Sequence, residues 1–191
     1  MSSFSRNTTR ADSLARPRAL CLGLAFTLMS VGALADGAHR FVFTVYGDAM
    51  GGTEVIAGRY QAALEELKRH PDSMDIDPAA TSTNQCVAYS MTLQWQQARA
   101  ACDAAVREAD AQRTAVPAWL SWTLSSIDDR RALAYTNRAV MHWLSNDEAA
   151  AQKDLSRAEE LAPLADFVAQ NVTALKVHAI VAIAAAPAPK R

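Results

Sequence analysis

The stretch Ala132–Pro163, ALAYTNRAVMHWLSNDEAAAQKDLSRAEELAP, decides how the rest of the chain folds. Its apolar residues recur at helical spacing in two blocks, and the break between them falls at Leu144, Ser145, Asn146 and Asp147. That pattern predicts two antiparallel helices joined by a tight turn. Small residues stand where such a hairpin presses closest, Ala139 on the first helix and Ala151 on the second. Leu155 and Ala158 continue the apolar stripe, and Pro163 stops the second helix.

The same spacing returns upstream. Gly58, Tyr60, Ala63 and Leu67 precede Leu93, Trp95, Ala98 and Cys102 by 35 residues, and these precede Asn146, Glu148, Ala151 and Leu155 by 53. At the same 53-residue offset Asn84, Tyr89, Ala98 and Ala105 match Asn137, His142, Ala151 and Ala158, and Asn171 follows Asn137 by 34. A helix-turn-helix unit with these features resembles a tetratricopeptide repeat, whose period is about 34 residues. The resemblance implies an all-α fold of TPR-like helical hairpins. Two repeats are full, at 79–111 and 132–163; one at the N-terminal side, from Thr53, is truncated; a capping helix follows from Leu164 to about Val177. The excess over one period, about 19 residues, places an insertion within Arg107 to Arg130. There VPAWLSWTLSSIDD, opened by Pro117 and carrying Trp119, Trp122 and Leu124, predicts a short helix of its own.

The resemblance also implies a role as a binding scaffold. In tetratricopeptide domains the place taken here by Asn84 and Asn137 often faces the ligand groove and holds peptide backbone. Thr136, Val140 and Trp143 lie at i, i+4 and i+7 on one helix face, with Thr83, Val87 and Ser90 as their counterparts. Thr83, Asn84, Val87, Thr136, Asn137, Val140 and Trp143 are therefore the expected partner groove, with Trp143 as its energetic anchor. The alternative for Trp143 is cover by the helix from Leu164 or by the insertion. A carboxylate clamp would need Lys and Arg on this face, which offers Leu133, Thr136 and Val140 instead. An apolar or backbone-directed grip is expected.

The chain opens with Arg6, Arg10, Arg16 and Arg18, then the 16-residue apolar run Ala19–Leu34, then Ala33-Leu34-Ala35 before Asp36. This reads as a signal peptide, residues 1–35, cleaved between Ala35 and Asp36. The run is shorter than the ~20 residues a spanning helix needs, so no stable membrane insertion is expected after cleavage, and the location is periplasmic or secreted. Cleavage removes four Arg and one Asp and leaves a mildly acidic chain without a basic, aromatic-interleaved patch. Nucleic acid is not an expected partner. The partner is an unidentified protein or peptide, and self-association in the envelope is the alternative.

Residues 36–52 form the one segment of different character. His39 to Gly52, HRFVFTVYGDAMGG, alternates apolar and polar side chains with aromatic and β-branched residues, which is strand chemistry. A lone strand in a helical chain either lies extended across the repeats, pairs with a copy, or offers its edge to a partner. The helical domain spans 53–177, and the Ala/Pro-rich tail, 178–191, is expected to fray.

Chemistry-bearing residues are few. Cys86 and Cys102, on opposite helices of one hairpin, form an even pair in an oxidising compartment, which predicts a disulfide. Two buried small hydrophobes are the alternative. His39, His70, His142 and His178 show no metal-binding pair at i, i+4, and His142 replaces Tyr89 as a packing residue. Asp128-Asp129 and Asn146-Asp147 read as helix caps. With no nucleophile, phosphate-loop or dinucleotide motif in the chain, no catalytic, cofactor or metal site is expected.

Overall fold

The computed structural model describes residues 40–69, 77–115 and 121–185, all within one compact unit, Leu34–Arg191. Among these residues every regular element is a helix: α1 (Gly52–Ile56), α2 (Tyr60–Arg69), α3 (Pro78–Met91), α4 (Trp95–Ala115), α5 (Ser121–Leu144), α6 (Glu148–Leu161) and α7 (Asp166–Ala185). The fold is all-α. Each helix packs on the one before it, and α1, α3, α5 and α7 also pack on one another in series, so that these four share one side of the stack. The segment 1–35, expected to be a leader, His39, His70, Trp119 and the residues beyond Ala185 lie outside the described residues.

Three tight turns have one conformation. Gly58, Leu93 and Asn146 all have positive φ, at 72°, 59° and 64°. At each turn the following residue donates its N–H to a carbonyl five residues back: Arg59 to Glu54, Gln94 to Tyr89, Asp147 to His142. The turn residue itself donates to the carbonyl three back, on Val55, Ser90 and Trp143. This double bond pattern satisfies the carbonyls that a helix end leaves unpaired. Asp147 then caps α6, its carboxylate accepting from the Ala150 N–H, as Asp77 caps α3 by accepting from Ala80, with Pro78 in the first helical position. Glycine and asparagine tolerate the left-handed region, but a γ-branched Leu93 does not do so freely. Leu93 is 68% exposed, so little packing is at stake. Leu93→Asn is expected to raise stability by about 1 kcal/mol, measured as a higher denaturation midpoint.

Alanines let the helices approach. Ala63, Ala98, Ala139, Ala151 and Ala158 are completely buried, with Leu64, Met141, Leu155 and Val168 filling the larger spaces. Cys86 of α3 and Cys102 of α4 form a disulfide with Cα atoms 4.6 Å apart, packed among Ala98, Ala101 and Met141. The bridge closes the hairpin at 16 residues of separation. A loop of that size restricts the unfolded chain enough to stabilise the fold by about 3 kcal/mol. The double variant Cys86→Ala, Cys102→Ala should therefore unfold at markedly lower denaturant, and reductant should lower the parent's midpoint while leaving the variant's unchanged.

Three expectations need correction. Among its described residues the segment 107–130 shows no separate short helix: α4 continues to Ala115 and α5 begins at Ser121, so extra length goes into two long helices. Asp128 and Asp129 consequently cap nothing. They lie inside α5, where Asp128 accepts from Arg131 one turn on, at 2.8 Å. At the other end α7 does not stop near Val177; its Ala-rich continuation has high helix propensity and remains helical to Ala185.

Candidate groove and its occupant

The side of the stack lined by α3, α5 and α7 carries one asparagine on each helix. Asn84, Asn137 and Asn171 are all essentially fully buried, where an unpaired amide would be costly. Each spends both ends of its amide on the backbone of one residue. Asn171 Oδ1 accepts from the Val42 N–H at 2.8 Å, and its Nδ2 donates to the Val42 carbonyl at 2.9 Å. Asn137 does the same to Thr44, at 2.9 and 2.6 Å. Asn84 completes the row on Tyr46, at 3.0 and 2.9 Å, and also donates to the Met50 carbonyl at 3.2 Å.

The segment 40–46 thus lies across the helices without regular secondary structure of its own, running from α7 towards α3. In an extended chain the N–H and C=O of one residue point to the same edge, and those of the next residue to the opposite edge. Clasping every second residue is what a row of three amides on α3, α5 and α7 requires of such a chain. At its far end the chain turns through Gly47–Gly51 into α1, and α1 begins with Gly52 against the Tyr46 carbonyl. A Cβ on Gly52 would overlap that oxygen and crowd the Asn84 amide.

Side chains leave the segment towards opposite ends of the helices. Phe41 packs on Trp143 and stacks on His178, with ring centroids 5.0 and 5.5 Å away. Trp143 lies on the C-terminal side of Asn137 in α5. Tyr46 instead lies under the Arg130 guanidinium, 5.3 Å from its ring centre and N-terminal to Asn137. Arg130 also pairs with Asp77, the α3 cap, and burial raises the Tyr46 phenol above its ordinary pKa. Phe43 and Val45 pack with Val55, Leu64 and Val87.

The expected groove residues meet here. Asn84 and Asn137 hold backbone; Thr83 and Thr136 turn their hydroxyls back to the Ala79 and Ala132 carbonyls one turn earlier; Val87 and Val140 are buried. Trp143 is half-buried, covered by Phe41 and by His178 of α7. The groove is filled by the chain itself. Asn171 was visible in the sequence only as a 34-residue echo of Asn137, and that echo was the signal for its place in the row.

A second polar group knits the helices behind this surface. Arg138 on α5 makes a two-pronged pair with Asp154 on α6, at 2.7 and 2.9 Å, and reaches Asp103 on α4 at 3.0 Å. Its hydrogen bond to Asp154 holds the guanidinium protonated, well above its ordinary range. Tyr135 donates to Asp110, which also accepts from Arg131. Burial lowers the pKa of His142, against the neighbouring Asp154 and Asp147 carboxylates. These charges are engaged in joining helices.

No family model, curated protein or solved structure matches this chain. The groove's reading therefore rests on its own geometry. Among the described residues no group of three His, Cys, Asp or Glu side chains could hold a metal ion, and no helix is long and apolar enough to cross a membrane.

Proposed function

We propose that this protein is an exported, non-catalytic binding module of tetratricopeptide-like hairpins that recognises protein segments in extended conformation. The observation carrying the reading is the row of three buried amides, each paired to both polar groups of one backbone residue. These contacts hold the protein's own segment 41–46 in extended form along the helices, so an extended partner would meet that fixed segment and the surface beside it, and the amides themselves are already taken. Repeat scaffolds offer a continuous concave face for this purpose. The leader-like start and the Cys86–Cys102 disulfide support export, because structural disulfides persist in oxidising compartments.

Screening the protein against an array of short peptides tests the proposal. Retention of uncharged peptides able to extend, with loss of retention when proline breaks their middle, is the expected outcome. An array that retains nothing above its blank spots overturns the reading.

A further inference from the structure

The segment 41–46 has a second edge. Val42, Thr44 and Tyr46 turn their N–H and C=O groups down to the three asparagines, so Phe41, Phe43 and Val45 turn theirs the other way, away from the helices. Among the described residues none of these three residues has a backbone hydrogen bond. They are half-buried, and all three line an open cavity. Water satisfies such groups, yet proteins ordinarily blunt a bare edge with charge, proline or a bulge. Here six consecutive residues, FVFTVY, contain neither a charge nor a proline.

Beside the segment is an open cavity of about 340 Å³ lined entirely by uncharged residues, among them Phe43, Val45, Tyr60 and Val87. Two further lining residues, Ile56 and Met91, are 65% and 42% exposed. Large apolar side chains around an open cavity mark an interaction surface. The edge and the cavity make different demands on an occupant. Free donors and acceptors at every second residue require an extended backbone, and a wall without charge requires apolar side chains. A second copy would bring the same free edge but no apolar side chain for the cavity, because its Phe41, Phe43 and Val45 are already packed on its own helices. A flexible peptide brings both.

We propose that the outer edge at Phe41, Phe43 and Val45 takes one further strand from a partner protein, an uncharged extended segment. One of that segment's apolar side chains enters the cavity beside Ile56 and Met91. This is strand addition onto a strand that the protein supplies and the asparagines hold in place. It rests on the reading that the protein recognises extended segments, and it names where and how they bind.

Amide hydrogen exchange by NMR on the intact protein, with and without a soluble probe peptide that alternates Val and Thr between lysine ends, tests it. The expected result is that the probe slows exchange at Phe41, Phe43 and Val45 by about tenfold and leaves Val42, Thr44 and Tyr46 as protected as before. Ile56→Glu, at an exposed position, should weaken the probe's binding while the helical signal is unchanged. Loss of protection at Val42, Thr44 and Tyr46 would mean that the probe displaces the segment, which overturns the strand-addition proposal. Probe binding with all six amides unchanged would place the site elsewhere; both outcomes leave the general reading standing. No binding by this probe while the peptide array retains others overturns the proposal, and failure of both assays overturns the general reading too. Protection at Phe41, Phe43 and Val45 that grows with protein concentration before any probe is added would assign the edge to a second copy, against the proposal.

Discussion

Arg138→Ala is expected to destabilise the protein by about 3 kcal/mol, the lower end of what removing one member of a buried ion pair costs. The lower end applies because the Arg138 side chain is still 19% exposed. Its partner is the deeper group: the Asp154 side chain is 7% exposed and would be left ionised between α5 and α6 without a counter-charge. Asp103 would also lose its hydrogen bond from Arg138, and α4 its link to α5. The check is urea denaturation of Arg138→Ala beside the double variant Arg138→Met, Asp154→Leu. Replacing both charges by apolar groups removes the orphan, so the double variant should recover much of the loss. Equal midpoints for parent and Arg138→Ala would mean that the pair contributes nothing.

Asn137→Ala should be nearly as costly, by about 2 to 3 kcal/mol. It removes two hydrogen bonds and leaves both the N–H and the C=O of Thr44 without a partner over an apolar floor. The segment cannot rotate to find others, because Val42 and Tyr46 on either side are fixed by Asn171 and Asn84. Asn137→Asp is the informative companion. Its carboxylate can still accept from the Thr44 N–H, but its second oxygen faces the Thr44 carbonyl, where Nδ2 donated. Both variants should expose 40–46 to protease at concentrations that leave the parent intact, and both should unfold at lower urea than the parent. A variant Asn137→Asp as stable and as resistant as the parent would contradict the clasp.

The hairpins were legible because their information is local. A 3.6-residue period, a tight turn and an alanine at each close approach sit within one stretch of chain, and Gly58, Leu93 and Asn146 fall at matching turn positions, of which Gly58 and Asn146 tolerate positive φ. The aromatic and β-branched residues through FVFTVY likewise announced an extended segment. Its lying across the repeats was one of three readings open at that point. What grips it could not be read locally, since Val42 and Asn171 are 129 residues apart in the chain. The same holds for Arg138, whose partners come from two other helices. The errors have physical causes too. Asp128-Asp129 looked like a cap because acidic residues favour a helix start, but the apolar residues before them had already begun α5. Pro117 itself lies outside the described residues, but the second half of the expected short helix, from Ser121, is the start of the long α5.

Amide exchange through the segment in the free protein tests the clasp most directly. Val42, Thr44 and Tyr46 should be protected, each by its asparagine, while Phe41, Phe43 and Val45 exchange fast, giving strict alternation along six residues. Uniformly fast exchange from Phe41 to Tyr46 would contradict the account, because the three buried amides would then be holding nothing.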